Sequence, residues 1–221
     1  MKKTDLSQIQ LFRGFTETQL SEALHALEAK TRKFRKDSVI LHEGSITDVM
    51  GIIRSGSVTI ERVDYLGNRS ILAHNSAGQY FAETYALMDR TPLMIDVVAN
   101  EDCEILFLNL KKIQASKLSS FAWYPLLLVN LLTISTKKNI ELSERSFHVF
   151  PKTVRGRVYS YLTATSRLKQ SPEFDVPFNR QQMADYLNLD RSALSKELCR
   201  MRDEGQIEFR KNHFKLLKPE P

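Results

Sequence analysis

The chain has 221 residues, of which 42% are hydrophobic and 26% are charged, and its formal net charge is +6. This length and composition predict a soluble globular protein with two domains, and the sequence contains no low-complexity segment. The first residues lack the apolar core and cleavage site of a signal peptide, and the densest apolar run, 126–132, is too short to cross a bilayer. We therefore expect a cytoplasmic protein.

The N-terminal part of the chain predicts a short helix and then an all-β domain. Leu20, Leu24 and Leu27 recur at helical spacing. From residue 32 to residue 109, short apolar runs alternate with turns that contain glycine, which is typical of a β-roll or barrel. Residues 1–119 are therefore predicted to form a β-roll domain.

A long helix is predicted from Ser120 to Arg145, with Pro125 in its first turn, where proline is tolerated. The helix carries more apolar side chains than one contact with the roll can bury, so a second copy of the helix is the expected partner. Ser135, Lys138 and Asn139 interrupt any single heptad seam, so a coiled coil would be imperfect. The segment 120–147 is interpreted as a dimerisation helix and linker, and the residues predicted to line its contact are Leu128, Leu131, Leu132 and Leu142.

The C-terminal part, 148–221, contains a pattern of two helices joined by a short turn. Asn179 is a predicted N-cap with Gln182 three residues later, the spacing of a capping box. Asn188 and Leu189 are predicted to form the turn, and Asp190 to cap the second helix. The side chains expected to face inward are Met183, Ala184 and Leu187 on the first helix and Leu194, Leu198 and Met201 on the second. This arrangement is that of a helix-turn-helix.

A two-stranded wing is predicted after Gly205, which suits the end of a helix. Ile207 and Phe209 alternate with polar residues, as do Phe214 and Leu216, on the two sides of Lys211-Asn212.

The outer face of the predicted helix pair is polar and basic. From His148 onward the chain has 14 Lys and Arg residues against 9 Asp and Glu, so most of its excess positive charge lies here. Such a face can donate hydrogen bonds to bases and phosphates, and its charge favours a polyanion. The residues predicted to contact double-stranded DNA are Arg180, Gln181, Arg191, Ser192, Ser195, Lys196 and Arg200. The alternative is an ordinary amphipathic helix pair with a solvated charged face.

Sequence motifs spread over the whole chain identify a family resemblance. They are LFRGFTETQL near the start, HEGS, RSGSV and SAGQYFAE in the roll, VRGRVYSYL at the start of the second domain, and FNRQQMADYLNLDRSALSKEL. Because these motifs occur in this order and at these separations, the whole chain resembles the Crp/Fnr family of bacterial transcription regulators. The resemblance implies an α+β fold: an N-terminal jelly roll like a cyclic-nucleotide-binding domain, a long dimerisation helix and a C-terminal winged helix-turn-helix.

The resemblance also implies a mode of action. Family members act as homodimers on two-fold symmetric operators, with one recognition helix in each of two successive major grooves. RNA polymerase is a candidate partner. Where the best-known members begin the recognition helix with Arg-Glu-Thr, this chain has Arg191-Ser192-Ala193. Because a hydroxyl replaces the carboxylate that accepts from cytosine, the operator is expected to differ from theirs.

The cyclic-nucleotide site that the resemblance implies is degenerate here. Cyclic-AMP sensors of the family use a glycine and a glutamate for the ribose and an Arg-Ser pair for the phosphate; the matching positions are Ala82, Glu83, Leu93 and Met94. Only the glutamate is kept. Without the guanidinium a buried phosphate loses its charge-assisted contact. We therefore predict that cyclic AMP is not the effector.

A different small molecule is the expected effector. The residues predicted to line its pocket are Phe81, Glu83, Thr84, Tyr85, Leu93, Met94, Leu142 and Ser143. The last two stand where the family has a Thr-Ser pair that reaches adenine. This lining suits an apolar or aromatic ligand; alternatively, the side chains simply fill the roll.

The histidines and cysteines of the chain bear on other possible cofactors and functions. Cys103 and Cys199 are too widely separated for a disulfide framework or a metal knuckle and are interpreted as structural thiols. The iron-sulfur sensors of the family need four cysteines, so no such cluster is expected. A haem sensor stays open, with His25, His42 and His74 as candidate axial ligands. An effector-independent regulator also stays open, and a cupin-like enzyme comes last, because its metal site needs clustered histidines. No metal site is predicted.

Overall fold

A computed structural model of the chain describes residues 4–114 and 116–217. The backbone divides into two compact units: the residues up to Gly67 with Leu72–Asn139, and Asn68–Ile71 with the residues from Ile140 onward. The units separate within the long helix, so the predicted boundaries at 119/120 and 147/148 stay predictions.

The first unit opens with short helical segments. Two 3-10 turns, Leu6–Gln8 and Gln10–Phe12, precede helix α1, Glu17–Ala26. Thr16 and Gln19 close a capping box at the start of α1, which satisfies backbone donors that have no partner within the helix. The predicted short helix is thus confirmed.

Eight strands form the predicted roll. They are β1 Lys30–Phe34, β2 Val39–Leu41, β3 Val49–Ser55, β4 Ser57–Val63, β5 Arg69–Ser76, β6 Tyr80–Phe81, β7 Asp96–Ala99 and β8 Cys103–Asn109, with helix α2, Glu83–Leu87, between β6 and β7. They make two four-stranded sheets, in the orders β1-β8-β3-β6 and β2-β7-β4-β5. The paired strands for which the register is defined are antiparallel.

Residues 105–108 of strand β8 are all apolar, with no alternation of polar and apolar side chains. Ile105 and Phe107 belong to the core that also contains Val58 and Val97 of the second sheet. Leu106 and Leu108, on the other face of the strand, belong to a separate core formed with α1 and the long helix. Because both faces of the strand are buried, both sets of positions must be apolar.

The long helix, α3, runs from Tyr124 to Val149, about one turn later at both ends than predicted. Pro125 accounts for the start: a helix that began at Ser120 would place the proline beyond its first turn, where its ring clashes with the preceding turn. Residues Ser116–Ser120 form a 3-10 helix instead. Pro151 accounts for the end, since the residue before a proline disfavours the helical region.

The side chains of α3 divide into a buried and an exposed set. Leu127, Leu131 and Ile134 lie in the core against the roll. The exposed apolar side chains of the helix are Leu128, Val129, Leu132, Ile140, Leu142 and Phe147. Leu131 was therefore wrongly assigned to the dimer face, because only 5% of its surface is exposed.

Asn130 interrupts the apolar run of α3 for a structural reason. It is buried, and its side-chain amide donates to the backbone oxygens of Leu11 and Arg13 at 3.0 and 2.9 Å. The amide thus fastens the N-terminal turns to the helix and satisfies two carbonyls.

The second unit holds the predicted helix-turn-helix and wing. Its elements are α4 Val154–Lys169, β9 Glu173–Asp175, α5 Arg180–Leu187, α6 Arg191–Asp203, β10 Ile207–Arg210 and β11 His213–Leu216. Strands β10 and β11 pair in the predicted hairpin, and β9 pairs with β11 as a third strand. The sequence did not indicate β9, since Phe174 is its only apolar residue and a Ser-Pro pair precedes it. The predicted α+β class with a roll and a winged helix-turn-helix is confirmed.

Among the described residues, no helix combines the length and apolar character that a membrane span requires.

Candidate nucleic-acid interface and sensory site

Helix α5 begins with the predicted capping box. The Asn179 side chain accepts from the Gln182 backbone N–H at 2.9 Å, and the Gln182 side chain accepts from the Asn179 N–H at the same distance. Met183, Ala184 and Leu187 are buried, as predicted. Because the start and the inner face of α5 are both fixed, its orientation in the domain is well defined.

The turn between the helices lies at the predicted residues. Asn188 adopts the left-handed conformation with φ 54°, and the Leu189 N–H donates to the Ala184 oxygen at 2.9 Å. This is the hydrogen-bond pattern of a Schellman motif, in which asparagine can replace glycine. Asp190 occupies the N-cap position of α6, but its side chain makes no capping hydrogen bond, so that part of the prediction is wrong.

Helix α6 presents one buried and one exposed face. Leu194, Leu198 and Met201 are buried. The exposed residues toward the start of the helix include Arg191, Ser192 and Lys196, and Ser195 is half-exposed between them. The donors predicted to read DNA on α6 therefore share an accessible surface.

The two cysteines differ in environment. Cys199 is exposed on α6, so burial does not support its interpretation as a structural thiol. Cys103 is buried, and burial raises its thiol pKa to about 11. Cys103 therefore packs as a neutral apolar side chain in the roll.

Arg180 does not extend freely from the domain. Its guanidinium carbon lies 5.1 and 5.7 Å from the ring centroids of Phe209 and Phe214, and Nη2 donates to the Lys211 oxygen at 3.2 Å. Burial lowers its pKa. Arg180 therefore anchors the wing to the start of α5, and its role at DNA stays a prediction.

The other predicted contacts have protein partners as well. Gln181 is exposed, but its amide donates to Asp185 Oδ1 at 2.8 Å. Arg200 donates from Nε to Glu204 Oε1 at 3.1 Å, four residues along the helix. Their roles at DNA stay predictions.

Two arginines of α4 hold the helix pair, and neither was predicted from the sequence. Arg157 donates from Nη1 to the backbone oxygens of Leu187 and Asn188, at 3.2 and 2.7 Å, and from Nε to the Pro151 oxygen at 2.8 Å. These carbonyls include ones that the end of α5 leaves without an intrahelical partner. Arg155, two residues earlier, is directed toward α6.

The C-terminal turns of α3 contact α5 within the second unit. The Arg145 guanidinium lies 5.5 Å from the centroid of the Tyr186 ring and donates to the Tyr186 oxygen at 3.4 Å. His148 is buried with its ring edge on Tyr161, and Nδ1 lies 3.3 Å from Ser160 Oγ. Burial lowers the pKa of His148, which favours the neutral imidazole.

In the roll, the site expected to bind an effector begins with an unusual backbone. Ala82 precedes α2 in the left-handed conformation, with φ 61° and ψ 13°. Glycine adopts this conformation without strain, whereas alanine does not. Glu83 is the first residue of α2 and only 3% of its surface is exposed.

The predicted pocket residues differ in burial. Phe81 and Leu93 are buried in the core between the sheets, and Phe81 makes an edge-to-face contact with Phe107, with centroids 6.3 Å apart. Thr84 and Met94 are exposed, and Tyr85 is half-buried with its hydroxyl 3.4 Å from the Met94 nitrogen. Leu142 and Ser143 are exposed on α3 in the second unit.

The candidate haem ligands lie in different settings. His25 and His42 are exposed. His74 is half-buried, its Nδ1 lies 3.3 Å from Asn100 Nδ2, and burial lowers its pKa. Within the described ranges, no group of three or more His, Cys, Asp and Glu residues is placed to hold a metal ion.

Comparison with known families agrees with the two-unit fold. A family model for the cyclic nucleotide-binding domain matches residues 31–116, and a model for the Crp-like helix-turn-helix domain matches residues 156–220. The first match covers the strands of the roll from β1 to β8, and the second runs from α4 through the wing. Together they cover more than half of the chain.

The similarity to individual relatives extends over most of the length of the chain. The chain is 24% identical to the cyclic AMP receptor protein of Thermus thermophilus over 201 residues, 89% of this chain and 87% of that protein. The regulator CLP of Xanthomonas campestris, described as responsive to c-di-GMP, has 15% identity and a TM-score of 0.72, and the match covers 90% of this chain and 100% of that chain. A CooA mutant from Carboxydothermus hydrogenoformans has 18% identity and a TM-score of 0.70, over 92% and 93% of the two chains.

The fold and the two matched domains define a DNA-binding transcription regulator with a roll of the cyclic nucleotide-binding type and a winged helix-turn-helix. The chain belongs to the Crp/Fnr family. Members of this family are regulators and not enzymes, so the cupin-like alternative is rejected.

Proposed function

We propose that the chain acts in the cytoplasm as a homodimer that binds a palindromic operator, and that a small molecule other than cyclic AMP controls its affinity for that operator. The observation that carries the proposal is the exposed face of α6, where Arg191, Ser192 and Lys196 are accessible while Leu194 and Leu198 hold the helix in the core.

The DNA contacts follow from the chemistry of that face. Arg191 can donate two parallel hydrogen bonds to a guanine or bind a phosphate, and Lys196, which has no planar fork, suits a phosphate. Ser192 and Ser195 offer hydroxyls that bond to several bases. Two copies of α6 in successive major grooves require half-sites about 34–36 Å apart.

The exposed stripe of α3 supports the homodimer. Leu132 is 68% exposed and Leu128 is 40% exposed. The hydroxyls of Thr133 and Thr136 donate to the oxygens of Val129 and Leu132 at 2.9 Å, so these polar residues can be buried without new partners. A Leu132→Glu variant should sediment as a monomer; a wild-type chain that sediments as a monomer at micromolar concentration contradicts the dimer.

Leu93 supports the exclusion of cyclic AMP. It stands where the resemblance places the phosphate-binding arginine, and 1% of its surface is exposed. An aliphatic side chain in this position cannot compensate the desolvated charge of a phosphate. Calorimetry should show no stoichiometric binding at micromolar cyclic AMP, and such binding would contradict the proposal.

An effector-independent regulator is the second candidate, and Phe81 favours it. Its ring is fully buried over Gly51, so part of the roll interior is filled by the chain itself. A regulator without an effector would bind its operator equally well in the presence and absence of small molecules.

Selection from randomised DNA tests these proposals together. The purified protein is incubated with and without a small-molecule extract of its source cells. Enrichment of an inverted repeat only with extract supports an effector-controlled dimer, and equal enrichment supports the effector-independent candidate. Failure to enrich any sequence in either arm contradicts operator binding. If the selected operator lies beside a promoter in the source genome, we expect RNA polymerase to be a partner.

A further inference from the structure

Arg155 of α4 makes three hydrogen bonds to α6 and its C-cap. Its Nε donates to Glu197 Oε1 at 2.5 Å, Nη1 to Glu204 Oε2 at 2.7 Å and Nη2 to Glu204 Oε1 at 3.0 Å. The pair with Glu204 is bidentate, with two parallel N–H bonds to one carboxylate. The planar guanidinium is the only side chain whose fixed donors can serve two carboxylates in this way.

The two carboxylates belong to residues at different positions along the axis of α6. Glu197 lies in the middle of the helix, and Glu204 is its C-cap, seven residues later. Seven residues correspond to about two turns and roughly 10 Å along a helix axis. A side chain bound at both points restricts the rotation of α6 about its axis as well as its position along α4.

The part of the contact that involves Glu197 is partly shielded from solvent. The side chains of Glu197 and Arg155 are 16% and 33% exposed, so counterions screen the pair less than an open surface pair. The hydrogen bonds to Glu204 and Glu197 raise the pKa of Arg155, and Arg155 lowers that of Glu204. Arg155 and Glu204 are therefore charged over the physiological range.

The same contact changes the charge of the face that approaches DNA. Glu197 follows Lys196 directly and would repel phosphates if it were unpaired. Arg155 neutralises it from the side of α4, and Glu204 is shared with Arg200 at 3.1 Å. The positive charge at the start of α6 is thus left uncompensated by the acidic residues of the helix.

We propose that Arg155 is a positioning residue, which sets the orientation in which α6 presents Arg191, Ser192, Ser195 and Lys196 to base edges. Arg155 itself does not contact DNA. The inference rests on the proposed operator binding, and it differs from a merely stabilising ion pair because it requires that base preference depends on Arg155.

The first test uses the DNA-free protein. Arg155→Met removes the donors and keeps an aliphatic chain, and Arg167→Met removes one charge from an exposed position of the same helix. Amide hydrogen exchange in α6 should become several-fold faster in Arg155→Met, while α5 and the Arg167→Met control keep wild-type rates. Unchanged exchange in α6 overturns the proposal, whether or not an operator is known.

The second test measures base preference at a temperature where each variant is folded. The ratio of affinities for the selected operator and for operators with one changed base should fall about tenfold in Arg155→Met. Arg155→Lys, which can serve one carboxylate at a time, should give an intermediate ratio. A lower melting temperature with an unchanged ratio shows a stabilising role only and overturns the proposal. If wild type selects no operator, operator binding fails, and the exchange result still decides whether Arg155 orients α6.

Discussion

The ring of Phe81 in β6 lies directly over Gly51 in β3, so that a Cβ atom at position 51 would overlap the ring. This contact shapes the interior of the roll, because the absence of one side chain makes room for a large one. A glycine in the middle of a strand would otherwise only weaken it.

Gly51→Ala should therefore destabilise the roll by about 1–3 kcal/mol, since the Phe81 ring must leave its position. Denaturant unfolding of the variant and wild type measures the change. Phe81→Leu should restore part of the loss when combined with Gly51→Ala, because the smaller side chain leaves space for the methyl group. Equal stability of Gly51→Ala and wild type would show that the ring can move without cost.

Arg191 and Arg180 lie at the starts of the two helices and should respond differently to truncation. Arg191→Ala should weaken binding to the selected operator by about 1–3 kcal/mol and flatten base preference at one position of each half-site. Arg180→Ala should loosen the wing, because it removes the cation over Phe209 and Phe214, and should leave the pattern of base preference unchanged. Fluorescence anisotropy with a panel of operators measures both. Unchanged affinity and preference in Arg191→Ala would refute its role.

Arg157 carries a prediction about stability. Arg157→Ala removes donors from three backbone oxygens at the end of α5 and before α4, so the second unit should lose about 2–4 kcal/mol. Thermal unfolding of the chain should show the loss, and Arg157→Lys should recover only part of it, since an ammonium cannot reproduce the fork. The exposed Arg167→Ala serves as a control and should unfold as wild type does. Wild-type stability of Arg157→Ala would show that water replaces these hydrogen bonds.

The parts of the site that the sequence predicted correctly depend on local spacing. The capping box of Asn179 and Gln182 and the buried stripe of Leu194, Leu198 and Met201 are set within one or two turns of helix. The contacts that were missed or misassigned depend on residues far apart in the chain. Arg180 meets the wing about 30 residues later, and only the folded sheet shows that its guanidinium is occupied.

The conformation of Ala82 escaped prediction for a related reason. Sequence comparison with the family shows that a glycine is absent, but not that the backbone keeps the conformation that favours glycine. With φ 61° at Ala82, Ala82→Gly should stabilise the roll by about 0.5–1 kcal/mol, because relief of the left-handed strain exceeds the added entropy of the unfolded chain. Chemical denaturation measures the gain. A control at Ala86, buried in the helix that follows, should lose stability on change to glycine. Loss of stability in Ala82→Gly would indicate that the alanine methyl group packs usefully in the core.

The pH dependence of stability should show opposite contributions from two histidines. The ring of His213 on β11 lies between two carboxylates of β9: Nδ1 is 3.0 Å from Asp175 Oδ1, and Nε2 is 3.0 Å from Glu173 Oε1. Arg210 on β10 is paired with His213 in the strand register. The two carboxylates raise its pKa above the usual 6.5. Its contribution is therefore fully present below pH 6.5 and is lost as the pH rises through the higher pKa of the folded state.

His148 should act in the other direction, because burial lowers its pKa. As the pH falls below 6.5 the unfolded chain takes up a proton there and the folded chain does not, so its contribution to stability is lost in acid. Denaturant unfolding from pH 5 to 9 separates the two: the stability difference between wild type and His213→Gln should shrink as the pH rises, whereas that between wild type and His148→Gln should grow. A His213→Gln difference that stays constant with pH would mean that the two carboxylates do not hold the imidazolium.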